Sequence, residues 1–157
     1  MSSVDAKEIV KLLKKKRTTL AVAESITGGG IGAAITDISG SSEVFLGGVI
    51  AYSDDVKMEE LKIPKALIKK HTAVSEEVAI AMAVSIREKF GSKYAIATTG
   101  VAGPGKAYGQ KAGTVWVAIA SVNNNYAISL SLAGDRTQVR KATIDSAFAM
   151  FSRILKA

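Results

Sequence analysis

At 157 residues, with 48% of them apolar and only two prolines, the chain is long enough to fill the core of one domain. It has no cysteine and a single histidine. That excludes disulfides, thiolate metal sites and cysteine nucleophiles, and it leaves an imidazole-based metal cluster or a Ser-His-Asp triad little to build on. The net charge of +7 sits at the two ends: residues 1–17 carry six cations against two acids, residues 135–157 five against two, and residues 18–134 ten of each. With no aromatics interleaved, these charges read as solvated helix faces rather than a nucleic-acid surface.

Residues 3–16 alternate lysine and glutamate with Val4, Ile9, Val10, Leu12 and Leu13, which predicts an amphipathic first helix ending in Lys14-Lys15-Lys16-Arg17, where cations suit the helix dipole. TTLAVAE (18–24) reads as a short strand, and Thr27 with the glycines leads into an apolar helix, IGAAITDI (31–38). VFLGGVIAYS (44–53) is a second strand beside the first, with Gly47 and Gly48 marking a bulge or a close backbone approach. DDVKMEELK is a short helical stretch, Pro64 opens another, and Ser75 caps a strong helix running to about Phe90, with Ile80, Met82 and Ile86 on its core face. Met58 reads as packing, and His71 as a helix-end or packing residue. KYAIATTG (93–100) is a third strand. TVWVAIAS and YAISLSLA form a hairpin around VNNN, and residues 134–157 close the chain as a helix with apolar positions 139, 144, 147, 148, 151 and 154.

This order implies an α/β fold: a three-layer α/β/α single domain over residues 1–157, with a mixed, mainly parallel sheet of about five strands, then a C-terminal hairpin and helix. No stretch reaches the ~18 apolar residues of a membrane helix, and the N-terminus lacks a signal-peptide layout. A soluble, cytoplasmic protein with no membrane partner is expected.

Ligands in such folds gather at the carboxyl ends of parallel strands. Three features fall there: Ser25 to Gly30, Tyr52 to Lys57, and Thr98 to Gly105. The glycine turn suits a phosphate or a developing oxyanion, or is simply a helix cap with glycines for close packing. Lys57 is either an exposed helix lysine or, if burial lowers its pKa, a base. TTGVAGPG is either a cradle of hydroxyls and amides or a plain loop.

Taken together, Ala-Glu-Ser25-x-Thr27-Gly28-Gly29, Gly47-Gly48-Val49-x-Ala51-Tyr52-Ser53 with Lys57, Ala73-Val74-Ser75-Glu76, Thr99-Gly100-Val101-Ala102-Gly103-Pro104, and Gly113-Thr114-Val115 with Gly134-Asp135-Arg136 resemble the CinA C-terminal domain family, in that family's order and over nearly the whole chain. Members with activity are nicotinamide-nucleotide amidases, which turn nicotinamide mononucleotide into nicotinate mononucleotide and ammonia. The resemblance implies a mechanism with no metal or other cofactor, a pyridine mononucleotide as substrate, and a homodimer. It makes Ser25 the nucleophile, Lys57 its general base, and Tyr52 a hydrogen-bonding member of the same network. Backbone N–H groups of Thr27, Gly28 and Gly29 would form the oxyanion hole. Thr99, Gly100 and Gly103 would line the pocket, and Arg136 or Arg140, four apart on one helix, would clamp the 5′-phosphate, the alternative for both being surface salt bridges.

Two departures stand out. Ile26 occupies a position where the family commonly has cysteine. After Gly-Pro-Gly the chain reads KAYGQKA, where the family usually carries a glycine-rich stretch with a Lys-Pro step. Such a loop either alters substrate choice or wets the site. A non-catalytic nucleotide-binding module of the same fold is the alternative, although it would need neither Ser25 nor Lys57.

Overall fold

The computed structural model describes residues 4–157. Its elements follow the order α1 (Ala6–Lys16), β1 (Leu20–Glu24), α2 (Gly30–Thr36), a 3-10 turn (Ser41–Glu43), β2 (Phe45–Ile50), α3 (Asp54–Leu61), α4 (Lys65–His71), α5 (Glu76–Phe90), β3 (Tyr94–Gly100), β4 (Thr114–Ala120), β5 (Asn125–Ser131) and α6 (Arg136–Lys156). The sheet order is β2-β1-β3-β4-β5. β1 pairs in parallel with both β2 and β3, whereas β3–β4 and β4–β5 are antiparallel. β4 alone therefore runs against the other strands. Residue 3, the start of the expected first helix, lies outside the described residues.

The side-chain alternation along the strands sorts the helices into layers. Leu20, Val22, Ile96, Val115, Val117 and Ile119 face α1, α2 and α6, while Ala21, Ala23, Ala95, Ala97, Ala118 and Ala120 face α3 and α5. One face carries bulk and the other carries methyl groups. The alanine face lets α5, with its own Ala79 and Ala83 buried beside Met82 and Ile86, lie close over the sheet. Ile80 is only half-buried there.

Four of the helix starts are capped by a side chain. Asp5 accepts from the Glu8 N–H at 3.0 Å, Ser53 from Val56 at 3.1 Å, and Ser75 from Val78 at 3.3 Å. Asp135 and Gln138 form a reciprocal capping box at α6. Gly48 marks a close approach: a Cβ there would sit 2.2 Å from the Val22 carbonyl oxygen across the β1–β2 pairing. The pairing also shifts register between Leu20 and Ala21. His71 ends α4, with Nδ1 3.5 Å from Glu77. No helix among the described residues is long and apolar enough to cross a membrane.

Candidate active site

Because β2, β1 and β3 are parallel neighbours, their carboxyl ends lie side by side. The β1 ladder runs one residue past the strand, with the Ser25 N–H donating to Thr98 O at 3.0 Å, and the Ala51 N–H donates to Glu24 O at 2.8 Å. These bonds bring Ser25, the β2–α3 turn and the end of β3 to one cleft. The cleft holds about 250 Å³ and is lined by Ser25, Tyr52, Lys57, Thr99, Gly100 and Gly103, among others.

Lys57 projects from α3 into the protein and is 1% exposed. Its Nζ donates to Ser25 Oγ at 3.0 Å and lies 3.4 Å from the Tyr52 carbonyl oxygen. Ser25 itself is 7% exposed. Burial pushes the Lys57 ammonium below its ordinary proton affinity, and the Asp54 carboxylate, one turn earlier, partly opposes this. A lysine held in this way has access to a neutral form beside a hydroxyl, which is the arrangement that proton transfer from serine requires.

Tyr52 enters the network differently from expectation. Its main-chain carbonyl meets Lys57, whereas its phenol oxygen accepts from Arg136 Nη2 at 2.7 Å. Arg136 also donates to Gly103 O at 2.7 Å through Nη1 and stands in the cleft lining. Arg140 does not. Its Nε donates to Ile26 O at 3.2 Å and its Nη2 to Thr27 O at 3.1 Å, so it grips the turn after Ser25 from outside the cleft. The sequence left open which arginine reaches a ligand; Arg136 stands in the cleft, and two carbonyls hold the Arg140 guanidinium.

The glycine turn is also bound up internally. Thr27 is fully buried with Oγ1 2.8 Å from Thr98 Oγ1, and the Gly28 N–H donates to Ser25 O at 3.1 Å. Gly28 and Gly29 take positive φ values to make the bend. None of Thr27, Gly28 and Gly29 lines the cleft. The start of α2 is occupied by Glu24, 1% exposed, whose two carboxylate oxygens accept from the Ile31 N–H at 2.8 Å and the Gly32 N–H at 3.0 Å. The helix start is therefore not free for a ligand. The N–H groups of Ile26, Thr27 and Gly29 have no acceptor among the described residues. With a trans peptide, pinning the Ile26 carbonyl on Arg140 holds the Thr27 N–H on the opposite side.

Thr99 is buried, donates its hydroxyl to Ala73 O at 2.7 Å and lines the cleft. Sequence reasoning missed Glu24 as a cap, Lys106 and Tyr108 as cleft residues, and Arg140 as a brace. The acidic residue just before Ser25 was a legible sign of the first. Among the described residues no three His, Asp or Glu side chains gather as a metal site would require. Three cations, Lys57, Lys106 and Arg136, line the cleft, and none of its described lining residues is a carboxylate, which suits an anionic ligand.

These features define an α/β/α domain with a buried serine–lysine pair in a cleft at the ends of its parallel strands. The chain belongs to the CinA C-terminal domain family, whose model matches residues 3–155. It is 44% identical over 150 residues to a CinA-like protein of Geotalea daltonii, covering 95% of this chain and 36% of that protein. It is 53% identical over 100 residues to a CinA-like protein of a Synechococcus species, covering 64% of this chain and 24% of that one. The chain thus spans little more than a third of the longer relatives' length. A solved CinA superfamily protein from Klebsiella pneumoniae matches with a TM-score of 0.94 at 29% identity, covering 96% of this chain and 95% of that one. A competence/damage inducible protein from Agrobacterium tumefaciens matches with a TM-score of 0.91 at 31% identity, covering 97% and 93%.

Proposed function

We propose that the chain is an amidohydrolase that removes ammonia from the carboxamide of a pyridine mononucleotide, nicotinamide mononucleotide being the substrate, through a serine–lysine pair. The observation that carries this reading is the 3.0 Å contact between Lys57 Nζ and Ser25 Oγ, made by a lysine whose burial opposes its charge.

Neutral Lys57 takes the Ser25 proton as Oγ bonds to the carboxamide carbon, and the negative charge moves to the carbonyl oxygen. The N–H groups of Ile26 and Thr27 are donors open to that oxygen. The intermediate collapses as the C–N bond breaks, and the Lys57 ammonium gives its proton to the departing nitrogen, which leaves as ammonia. Water then attacks the acyl-serine, Lys57 takes the water's proton and returns it to Oγ, and nicotinate mononucleotide is released. In this reading Thr99 accepts from the carboxamide NH₂, and Arg136 with Lys106 holds the phosphate. A cytoplasmic role in pyridine-nucleotide recycling and a homodimer belong to the same reading, the latter checked by sedimentation.

The test is ammonia release from nicotinamide mononucleotide by the wild type, Ser25→Ala and Lys57→Ala, with folding verified for each. Turnover by the wild type alone supports the amidase. Nucleotide binding without turnover by the wild type would favour a binding module instead.

A further inference from the structure

The loop between β3 and β4 contains a regular turn. Ala107 and Gln110 bond to each other in both directions, N–H to O at 3.0 Å and 2.9 Å, around Tyr108 and Gly109. The two central residues have φ of 53° and 72°, the pattern of a tight type I′ hairpin. Asparagine is the residue such a turn favours at its first central position. A tyrosine there is an outlier, and the backbone pays a conformational cost to present it. The Gln110 side chain ties the hairpin down, donating to Val74 O at 2.7 Å.

What the hairpin presents is a phenol ring at the rim of the cleft. Tyr108 is 45% exposed and Tyr52 is 56% exposed, and both line the cavity whose floor carries Ser25 and Lys57. The Tyr52 ring is fixed by Arg136, which in turn grips Gly103. Burial and the nearby Asp54 and Tyr52 push the Tyr108 phenol up from its ordinary value. A partly open, pinned aromatic face beside a cation-lined mouth is a surface for a flat ring attached to a phosphate.

We propose that Tyr108 is the ring-recognising residue of this site: its hairpin and Tyr52 give the cleft two aromatic walls that hold the planar heteroaromatic ring of a mononucleotide, with Lys106 and Arg136 taking its phosphate. The inference rests on the amidase reading only for the identity of that ring. Under that reading the ring is a pyridinium cation, which an aromatic face attracts further.

The experiment measures affinity by calorimetry in a Ser25→Ala background, so that nothing turns over. The probes are nicotinamide mononucleotide, uridine monophosphate and ribose 5-phosphate, the last having no ring base. Tyr108→Asn suits the turn backbone but removes the ring, and Tyr108→Phe keeps the ring but removes the hydroxyl. Tyr108→Asn is expected to weaken the ring-bearing nucleotides about ten- to a hundredfold, the usual scale for a lost stacking face. Ribose 5-phosphate binding is expected to change less than about twofold, and Tyr108→Phe to stay within about twofold for every probe. Equal binding of a ring-bearing nucleotide with Tyr or Asn at 108, or loss with Phe, overturns the proposal, as does failure of both ring-bearing nucleotides to bind at all. If uridine monophosphate binds through Tyr108 while nicotinamide mononucleotide does not, the aromatic wall stands and the amidase reading falls. If nicotinamide mononucleotide binds independently of Tyr108 and the wild type releases ammonia from it, the reverse holds.

Discussion

Replacing Lys57 by methionine, an apolar chain of similar reach, separates the physics of the site from its chemistry. Lys57 is fully buried, and its proton affinity is lowered from an ordinary value near 10.5. At pH values below the folded-state pKa both states hold the proton, and the folded chain carries the whole cost of a desolvated ammonium. As pH rises beyond that point the folded lysine is neutral while the unfolded one still binds a proton, and the cost disappears by about 10.5. Each tenfold of depressed affinity corresponds to about 1.4 kcal/mol, or about 3–6 °C in Tm for a chain of this length. Against this, Lys57→Met loses its contacts to Ser25 Oγ and the Tyr52 carbonyl, each worth about 1 kcal/mol. That loss shifts the difference in Tm between variant and wild type without giving it the same pH slope. The prediction is therefore about slope: scanning calorimetry in matched buffers from pH 7 to 10 should show the variant's Tm relative to wild type falling as pH rises. Amide hydrolysis should fall about 10²- to 10⁴-fold. A flat or rising difference would show that folding does not oppose the Lys57 charge, and a free base beside Ser25 would lose its physical ground.

Asp54→Asn removes the carboxylate that favours the Lys57 ammonium, so the proton affinity of Lys57 falls further and the acid limb of kcat/KM should move to lower pH. Asp54 Oδ1 is buried without a hydrogen-bond partner among the described residues, so few contacts are lost with the charge. Glu24→Gln places an amide NH₂ against one of the two N–H groups that Glu24 now receives, and should destabilise the chain by about 1–3 kcal/mol in urea unfolding. Arg140→Lys cannot bridge two carbonyls with a fork, so kcat should drop about tenfold or more with KM little changed. Arg136→Ala should instead raise KM. Gly48→Ala forces a methyl group against the Val22 carbonyl in the pairing of two strands, and should leave little soluble protein on expression.

The layers were readable because periodicity and burial agree. Strand β1 alternates leucine or valine with alanine, and that two-residue period decides which helices lie on which side. The helix starts were readable where a single side chain does the capping, as with Ser75. Several motif residues that sequence alone could only associate acquire physical reasons. Ala73 and Val74 give their carbonyls to Thr99 and Gln110, and Asp135 closes a capping box. What stayed illegible depends on contacts between residues far apart in the chain. Arg136 and Arg140 share a helix face and a charge, so spacing gave them one role. Their fates divide because Arg136 reaches Gly103 and Tyr52 at the cleft rim, while Arg140 meets two carbonyls 113 and 114 positions earlier. The glycine turn is a local matter. Glu24 fills the start of α2 by accepting from Ile31 and Gly32, seven and eight residues on, and it leaves the Thr27 N–H without an acceptor among the described residues. This occupancy sharpens the site. With Glu24 holding the first turn of α2 and Arg140 holding the carbonyls before it, the bend after Ser25 is fixed from both sides. The amides of Ile26, Thr27 and Gly29 then remain, among the described residues, as unpaired donors in the turn after Ser25. Variants at Glu24 and Arg140, neither of which lines the cleft, should therefore impair the chemical step more than substrate affinity.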